Sequence, residues 1–143
     1  MGDLTWLTSS NGWGPPEIDR SNGERAPDDG GPIRIGTSAF DHGIGAHAPS
    51  RIVVDVGGRC SLFLADVGLD EEVGDRGSVV FELWGDGERL AVSGIVRGPQ
   101  VAVPIAAAVD GVERMTLVVT AGGDGAAFDH ADWGDARLQC STR

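Results

Sequence analysis

Short apolar runs with a two-residue alternation recur along the chain, and glycine separates them. Val79, Phe81 and Leu83 share one face of a predicted strand. Glu82 and Trp84 lie on the other face. No segment of a dozen residues keeps a helical period without an interrupting glycine or proline. The pattern predicts an all-β chain, with further runs of the same kind at 52–56, 60–67, 88–96, 101–109 and 112–120.

Gly-Gly and Asp-Gly pairs mark the turns between these runs. They stand at Gly57-Gly58, Asp86-Gly87 and Asp110-Gly111, and such pairs between strand-like runs are strong hairpin signals. We therefore expect three hairpins, one strand before them near residues 32–35 and one after them over 133–138. Regular short strands of this kind predict an antiparallel β-sandwich of jelly-roll type.

The composition adds a size and a sign of charge. The 143 residues suit a single domain, and we expect one module over 1–143 with its core at about 5–140. The formal net charge is −11, and all 11 basic residues are arginine. A field of this sign repels phosphate backbones and anionic lipids, so nucleic acids and membranes are poor partners. The first residues lack the features of a signal peptide, so the chain is either cytosolic or a module of a longer secreted protein.

The two cysteines leave one question of pairing open. Cys60 and Cys140 are far apart in sequence and do not form a Cys-x-x-Cys motif. Such a pair permits one disulfide between distant strands, which we expect if the protein is secreted, and the alternative is two buried thiols.

The first acid-rich loop suggests carbohydrate chemistry. Trp13 lies between two glycines and ahead of Pro15-Pro16, so a rigidly presented indole would offer its flat face to the C–H face of a sugar. Hydrogen-bond partners for the hydroxyl groups would come from Glu17, Asp19, Asn22 and Glu24. The alternative is that Trp13 plugs one end of the sandwich and that the polar residues form turns.

A second motif places a histidine among small residues. His47 follows two glycines, has alanines on both sides and precedes Pro49. Glycine permits close approach and proline stiffens the backbone, so the ring is placed to contact a ligand, with the glycines leaving room for it. The alternative is a tight turn in which the ring bonds a neighbouring carbonyl.

Another loop, near the end of the sequence, is rich in carboxylates. Four aspartates fall within residues 124–135, Asp129 and Asp132 among them, and oxygen ligands of this kind suit Ca²⁺. The spacing does not match an EF-hand, and a solvated acidic turn is the alternative. Trp133 opens the last predicted strand and is expected in the core.

Taken in order, these motifs resemble the NPCBM family, the carbohydrate-binding modules of family 51. The motifs are Asn-Gly-Trp-Gly-Pro with Asp-Arg-Ser-Asn-Gly-Glu, Gly-Ile-Gly-Ala-His-Ala-Pro-Ser, and Asp-His-Ala-Asp-Trp-Gly-Asp-Ala-Arg-Leu. The resemblance implies a sandwich of galactose-binding-domain type that is not catalytic. It also implies tethering to a secreted bacterial glycoside hydrolase, ligands with terminal galactose, blood-group A/B glycans among them, and a structural Ca²⁺.

On this basis we expect one shallow sugar site and one calcium ion in a monomeric module. The expected sugar-binding residues are Trp13, Glu17, Asn22, Glu24 and His47, and the expected calcium ligands are Asp19, Asp129 and Asp132.

Two other functions compete with this one. Carboxylate pairs and a histidine could serve a hydrolase, but no Gly-x-Ser-x-Gly motif is present and a sandwich of this length leaves little room for a deep cleft. A calcium-stabilised structural or protein-interaction module that has lost sugar binding would keep the same motifs.

Overall fold

The computed structural model describes residues 6–11, 16–20, 33–36, 38–70, 77–97, 101–121 and 130–140. These residues form strands and turns, with no helix among them and therefore no apolar helix that could cross a membrane. The strands are β1 (Trp6–Ser10), β2 (Glu17–Ile18), β3 (Ile33–Ile35), β4 (Ser38–Phe40), β5 (Gly43–His47), β6 (Ser50–Asp55), β7 (Cys60–Leu69), β8 (Ser78–Gly85), β9 (Glu88–Arg97), β10 (Val103–Ala108), β11 (Arg114–Ala121) and β12 (His130–Cys140).

Two five-stranded antiparallel sheets face each other. One has the order β1-β6-β11-β8-β9 and the other the order β10-β7-β12-β5-β2. The predicted all-β antiparallel sandwich is confirmed. A third sheet, the β3–β4 hairpin, has two strands.

The core between the two large sheets is built around an aromatic cluster. Trp133 is fully buried, as expected, and Phe81 meets its ring edge-on with centroids 5.0 Å apart. Phe63 contacts the same indole from its own sheet, with centroids 6.2 Å apart. Edge-to-face pairs of this kind add to the stabilisation that burial of the rings already provides.

Only one of the three predicted hairpins forms. The Asp86-Gly87 turn joins β8 to β9 within one sheet. Gly57-Gly58 and Asp110-Gly111 instead carry the chain from one sheet to the other, because β6 and β7, like β10 and β11, belong to different sheets. The prediction was wrong at these two turns because a turn dipeptide indicates where the chain reverses, not which sheet receives the next strand.

The β3–β4 hairpin covers the outer face of the second large sheet. Ile33 and Ile35 are fully buried there, although they lie outside the sandwich core. Two glycines make the seat: a Cβ on Gly68 would overlap Cγ2 of Ile35, and a Cβ on Gly134 would stand 3.0 Å from Cγ of Phe40. The central strands are therefore buried on both faces.

A disulfide bond joins Cys60, the first residue of β7, to Cys140, the last residue of β12. The two residues are also register partners in the sheet. The bond therefore fixes the end of β12 to the beginning of its neighbour.

Substitution of Gly68 by alanine should unseat the hairpin. The added methyl group overlaps Ile35, so we expect a loss of about 1–3 kcal/mol in the free energy of unfolding. Ile35→Ala alone should cost about 2–5 kcal/mol through the cavity that it leaves.

The double variant Gly68→Ala/Ile35→Ala tests the cause. Because the second change removes the group that the first one strikes, the loss should be smaller than the sum of the two single losses. Urea denaturation of the four proteins measures the coupling, and strict additivity would contradict the proposed contact.

Candidate functional site

Three neighbouring strands, β5, β7 and β12, have ends that lie together at one end of the sandwich. β5 ends at His47 and β12 begins at His130, and these two residues are register partners. β7 ends beside them, since Leu69 pairs with Ala131. We call this end of the sandwich the His47 end. Loops at one end of a rigid sandwich are where binding residues are commonly presented.

The alternation of β5 and β12 sorts their residues between the two faces. Ile44 pairs with Trp133 and faces the core. Gly45 pairs with Asp132, and His47 with His130, on the outer face. The small residues of β5 allow this strand to be packed on both sides, and all five of its residues are buried.

The ring of His47 is held in one tautomer. Its Nδ1 lies 2.8 Å from the carbonyl oxygen of Ala48, and only a protonated Nδ1 can donate there. Burial lowers the pKa of His47, and the hydrogen bond to Ala48 opposes this in part. The neutral ring therefore carries its proton on Nδ1, and Nε2 has a lone pair that can accept a hydroxyl hydrogen. The residue is 8% exposed, so little of its surface reaches solvent.

This geometry combines the two alternatives drawn from the motif. The ring does bond a neighbouring carbonyl, and only Ala48 and Pro49 separate His47, the last residue of β5, from the start of β6 at Ser50. The idea that the motif's glycines leave room for a ligand is wrong for Gly43, whose added Cβ would overlap the Trp133 carbonyl and reach Cδ1 of Ile33. The space beside Gly43 is occupied by the backbone of Trp133 and the side chain of Ile33.

The first loop leaves the sandwich beside His47. Asn11, the residue after β1, accepts the backbone N–H of His47 through Oδ1 at 2.8 Å. Glu17 begins β2 and pairs with Gly45, two residues before His47. Glu17 and His47 are therefore diagonal neighbours on the outer face of adjacent strands, a relation that corresponds to about 7–8 Å.

Two residues that the sequence reasoning did not select also belong to this end. The ring of His130 meets that of His47 edge-on with centroids 4.8 Å apart. Asp70 donates its N–H to the His130 carbonyl at 2.9 Å, and its Oδ2 accepts the N–H of Arg34 at 3.3 Å. The signal for His130 was present in the sequence, since Trp133 in the core places residue 130 on the outer face.

Three carboxylates are buried on this outer face. Glu17 and Asp70 are each 3% exposed and Asp132 is 0% exposed. Glu17 and Asp132 both pair with Gly45, so a residue without a side chain stands between them. Carboxylates are rarely buried unless other groups compensate them, which makes this face unusual for the outside of a sandwich.

Asp19 and Asp132, predicted as ligands of one calcium ion, are held in different places. Asp19 has a left-handed backbone (φ 61°), and its Oδ1 accepts the N–H of Gly43 at 2.9 Å. Its Oδ2 lies 3.5 Å from Nδ1 of His42. Within the part of the chain that the structure describes, no three histidine, cysteine or acidic side chains form a metal cluster. Asp129, the third predicted ligand, lies outside the described residues, so the calcium site stays a prediction.

The remaining predicted site residues cannot be placed in this geometry. Trp13, Asn22 and Glu24 of the sugar set, and Asp129 of the calcium set, lie outside the described residues.

Comparison with known families decides what kind of module this is. The model of the NPCBM/NEW2 domain matches residues 1–139. The chain belongs to the NPCBM/NEW2 domain family. A protein of Renibacterium salmoninarum named as an endo-alpha-N-acetylgalactosaminidase is 39% identical over 140 residues. The match covers 97% of this chain but only 9% of that protein, so the NPCBM domain is a small part of its relative.

Solved structures share the fold over nearly the whole NPCBM domain. The family 51 module from Clostridium perfringens GH95, in complex with methyl-galactose, is 31% identical with a TM-score of 0.86, and the match covers 96% of both chains. The second family 51 module of C. perfringens ZmpB, in complex with GlcNAc, is 31% identical with a TM-score of 0.87. That match covers 96% of this chain and 30% of the other. The chain is thus a carbohydrate-binding module of galactose-binding type in fold, not a catalytic domain.

The tautomer of His47 can be measured. Long-range ¹H–¹⁵N spectra at neutral pH should show a protonated Nδ1 and an unprotonated Nε2. The ring should titrate below its ordinary pKa of 6.5 because burial disfavours the cation. A ring protonated on Nε2 at neutral pH would contradict this assignment.

The same shift predicts how stability depends on pH. The folded-state pKa of His47 is lowered from 6.5, so the unfolded chain takes up the proton first as the pH falls. The stability that the neutral ring provides is complete above 6.5 and declines until the pH is below the folded-state pKa. Urea denaturation of wild type and His47→Gln between about pH 8 and pH 5 measures this contribution. The difference in the free energy of unfolding between the two proteins should shrink as the pH falls below 6.5.

Proposed function

We propose that this module binds terminal galactose on glycans at the His47 end of the sandwich. The observation that carries the proposal is the fixed neutral ring of His47, whose Nδ1 is committed to Ala48 and whose Nε2 is left as an acceptor. A methyl-galactose complex of a 31% identical module that matches 96% of this chain supports the choice of sugar.

An oriented acceptor suits discrimination between sugars. Galactose differs from glucose in the direction of one hydroxyl, so a site distinguishes them by where the hydrogen-bond partner stands. The Nε2 lone pair of His47 would accept from that hydroxyl, and the carboxylate of Glu17 on the adjacent strand would accept from a second one. Glu17 and His47 expose only small fractions of their surface, which favours a shallow site for one terminal sugar.

Trp13 completes the proposed site as a stacking surface. It follows Asn11 by two residues in the chain, and Asn11 is bonded to the backbone of His47. Asn22 and Glu24 are proposed as further hydroxyl partners from the same loop.

The proposed role is to hold a larger enzyme on its glycan. The chain spans 9% of its R. salmoninarum relative. A weak site raises the local concentration of a tethered enzyme at a glycan-bearing surface. We extend the proposal to secreted glycoside hydrolases and to blood-group A/B glycans as ligands.

Removal of the His47 ring, or of the Trp13 indole, should weaken sugar binding. We expect methyl-galactoside to bind with a Kd of about 0.1–1 mM, and His47→Ala and Trp13→Ala each to weaken it at least about tenfold, or ~1.4 kcal/mol. Isothermal titration or NMR titration measures the change.

His42→Ala is the matched control. His42 precedes the opposite end of β5, and its side chain is 75% exposed, so the affinity should not change. If neither His47→Ala nor Trp13→Ala alters binding, the site assignment is wrong. A folded wild-type protein that binds no glycan on an array would favour the structural or protein-interaction alternative.

We propose separately that one calcium ion stabilises the fold and does not contact the sugar. An ion that binds only the folded state stabilises it by about 2.7 kcal/mol at 100 times its Kd, so EDTA should lower the melting temperature by roughly 5–10 °C. Excess calcium should restore it. A melting temperature that EDTA does not change would refute a structural ion.

A further inference from the structure

Both ends of the described chain lie at the end of the sandwich opposite to His47, which we call the Cys60 end. We infer that the Cys60 end is the surface that faces the neighbouring modules of a longer polypeptide, and that the His47 end points away from them. The inference rests on the proposed function, because it gives the direction in which the sugar site is presented.

The chain enters the sandwich at the Cys60 end. β6 leaves the His47 end at Ser50 and runs away from it to Asp55. Trp6, the first described residue, pairs with Val54 near the far end of β6. A segment that precedes Trp6 therefore joins the module far from His47.

The chain also leaves at the Cys60 end. β12 begins at His130 beside His47 and ends at Cys140. With about 3.3 Å per residue, these 11 residues separate the site from the exit by roughly 30 Å. The disulfide bond from Cys140 to Cys60 holds the exit on β7, so a pull on a following segment is transmitted to β7 as well as to β12.

The turns of the Cys60 end suit a contact between modules of one chain. The turn at Asp110-Gly111 is exposed, and its preceding residue Val109 donates its N–H to the carbonyl of Ser61. Exposed Arg59 and Glu113 give this end both signs of charge. Interfaces between domains of one polypeptide are commonly polar. We infer that a neighbouring module of the same polypeptide contacts this surface. The regions that match this chain make up only 9% of the R. salmoninarum protein and 30% of the ZmpB chain, so both continue well beyond the module.

Immobilisation in two directions tests the presentation of the site. A biotin-acceptor peptide is placed after Arg143, within the Asp110-Gly111 turn, or between Val101 and Ala102. Val101 is 68% exposed and lies toward the His47 end, since Val103 pairs with Val67. On streptavidin, the first two proteins should bind galactose-conjugated albumin within about twofold of each other, and the third at least about tenfold more weakly.

Free methyl-galactoside is the control that separates this inference from the proposed function. All three proteins should bind it equally in solution, because a small sugar does not meet the streptavidin surface. Equal capture of the albumin conjugate by all three, or loss of capture by the Asp110-Gly111 protein, would overturn the inference. If no protein binds methyl-galactoside, the proposed function fails.

A second measurement tests the geometry without a sugar. A paramagnetic tag after Arg143 should broaden the amide signals of Ser61 and Val109 more than those of His47 and His130. The reverse order would overturn the inference, whatever the ligand of the module is.

Discussion

The site depends on one packing contact, the seating of the β3–β4 hairpin on the outer face of a sheet. A sandwich normally buries one face of each sheet and leaves the other to water. Here glycines at 68 and 134 allow Ile35 and Phe40 to approach the backbone of β7 and β12. This second, smaller core shields the outer faces of β7 and β12 from water. Asp70, a polar residue beside it, is buried.

Burial also sets the chemistry of His47. In water an imidazole near neutral pH exchanges between tautomers and takes up protons readily. Under the desolvation that lowers its pKa, and with Nδ1 bonded to Ala48, it is a neutral acceptor of fixed direction. The same environment holds Asp70 against the backbone of Arg34 and His130. Hairpin, strand ends and histidine pair are therefore one connected structure, and the ring's orientation is a consequence of the fold around it.

The positions of the strands could be predicted from the sequence more accurately than the pairing of the strands in sheets. The alternation of Val79, Phe81 and Leu83 was sufficient to predict a strand with one core face, since side-chain period is a local property. Gly57-Gly58 and Asp86-Gly87 carry the same local signal, yet one crosses between sheets and the other closes a hairpin. The difference is decided by which strands the next segment pairs with, and those partners are distributed over the whole chain.

The site shows the same division between local and distant information. His47 was found because its small neighbours are adjacent in sequence, and Glu17 because it follows the loop of Trp13. The seat at Gly68 could not be found, because its partner Ile35 is a distant residue of another sheet. His130 became recognisable once Trp133 was assigned to the core and the alternation was followed back along β12. A motif thus indicates a candidate side chain, but the packing that surrounds it follows from contacts between distant segments.

A shallow site and a distant tether are consistent with each other. One terminal sugar offers few contacts, so its affinity is limited to the weak range typical of small polar ligands. If the module tethers an enzyme as proposed, a weak site acts by holding that enzyme near a glycan surface, and this requires the site to face away from the enzyme. The path of β12 allows both a tether and an outward-facing site. The strand begins beside His47 and ends at the disulfide at the opposite end of the sandwich. In the proposed function, the strand that carries His130 therefore separates the sugar site from the point of attachment by its own length.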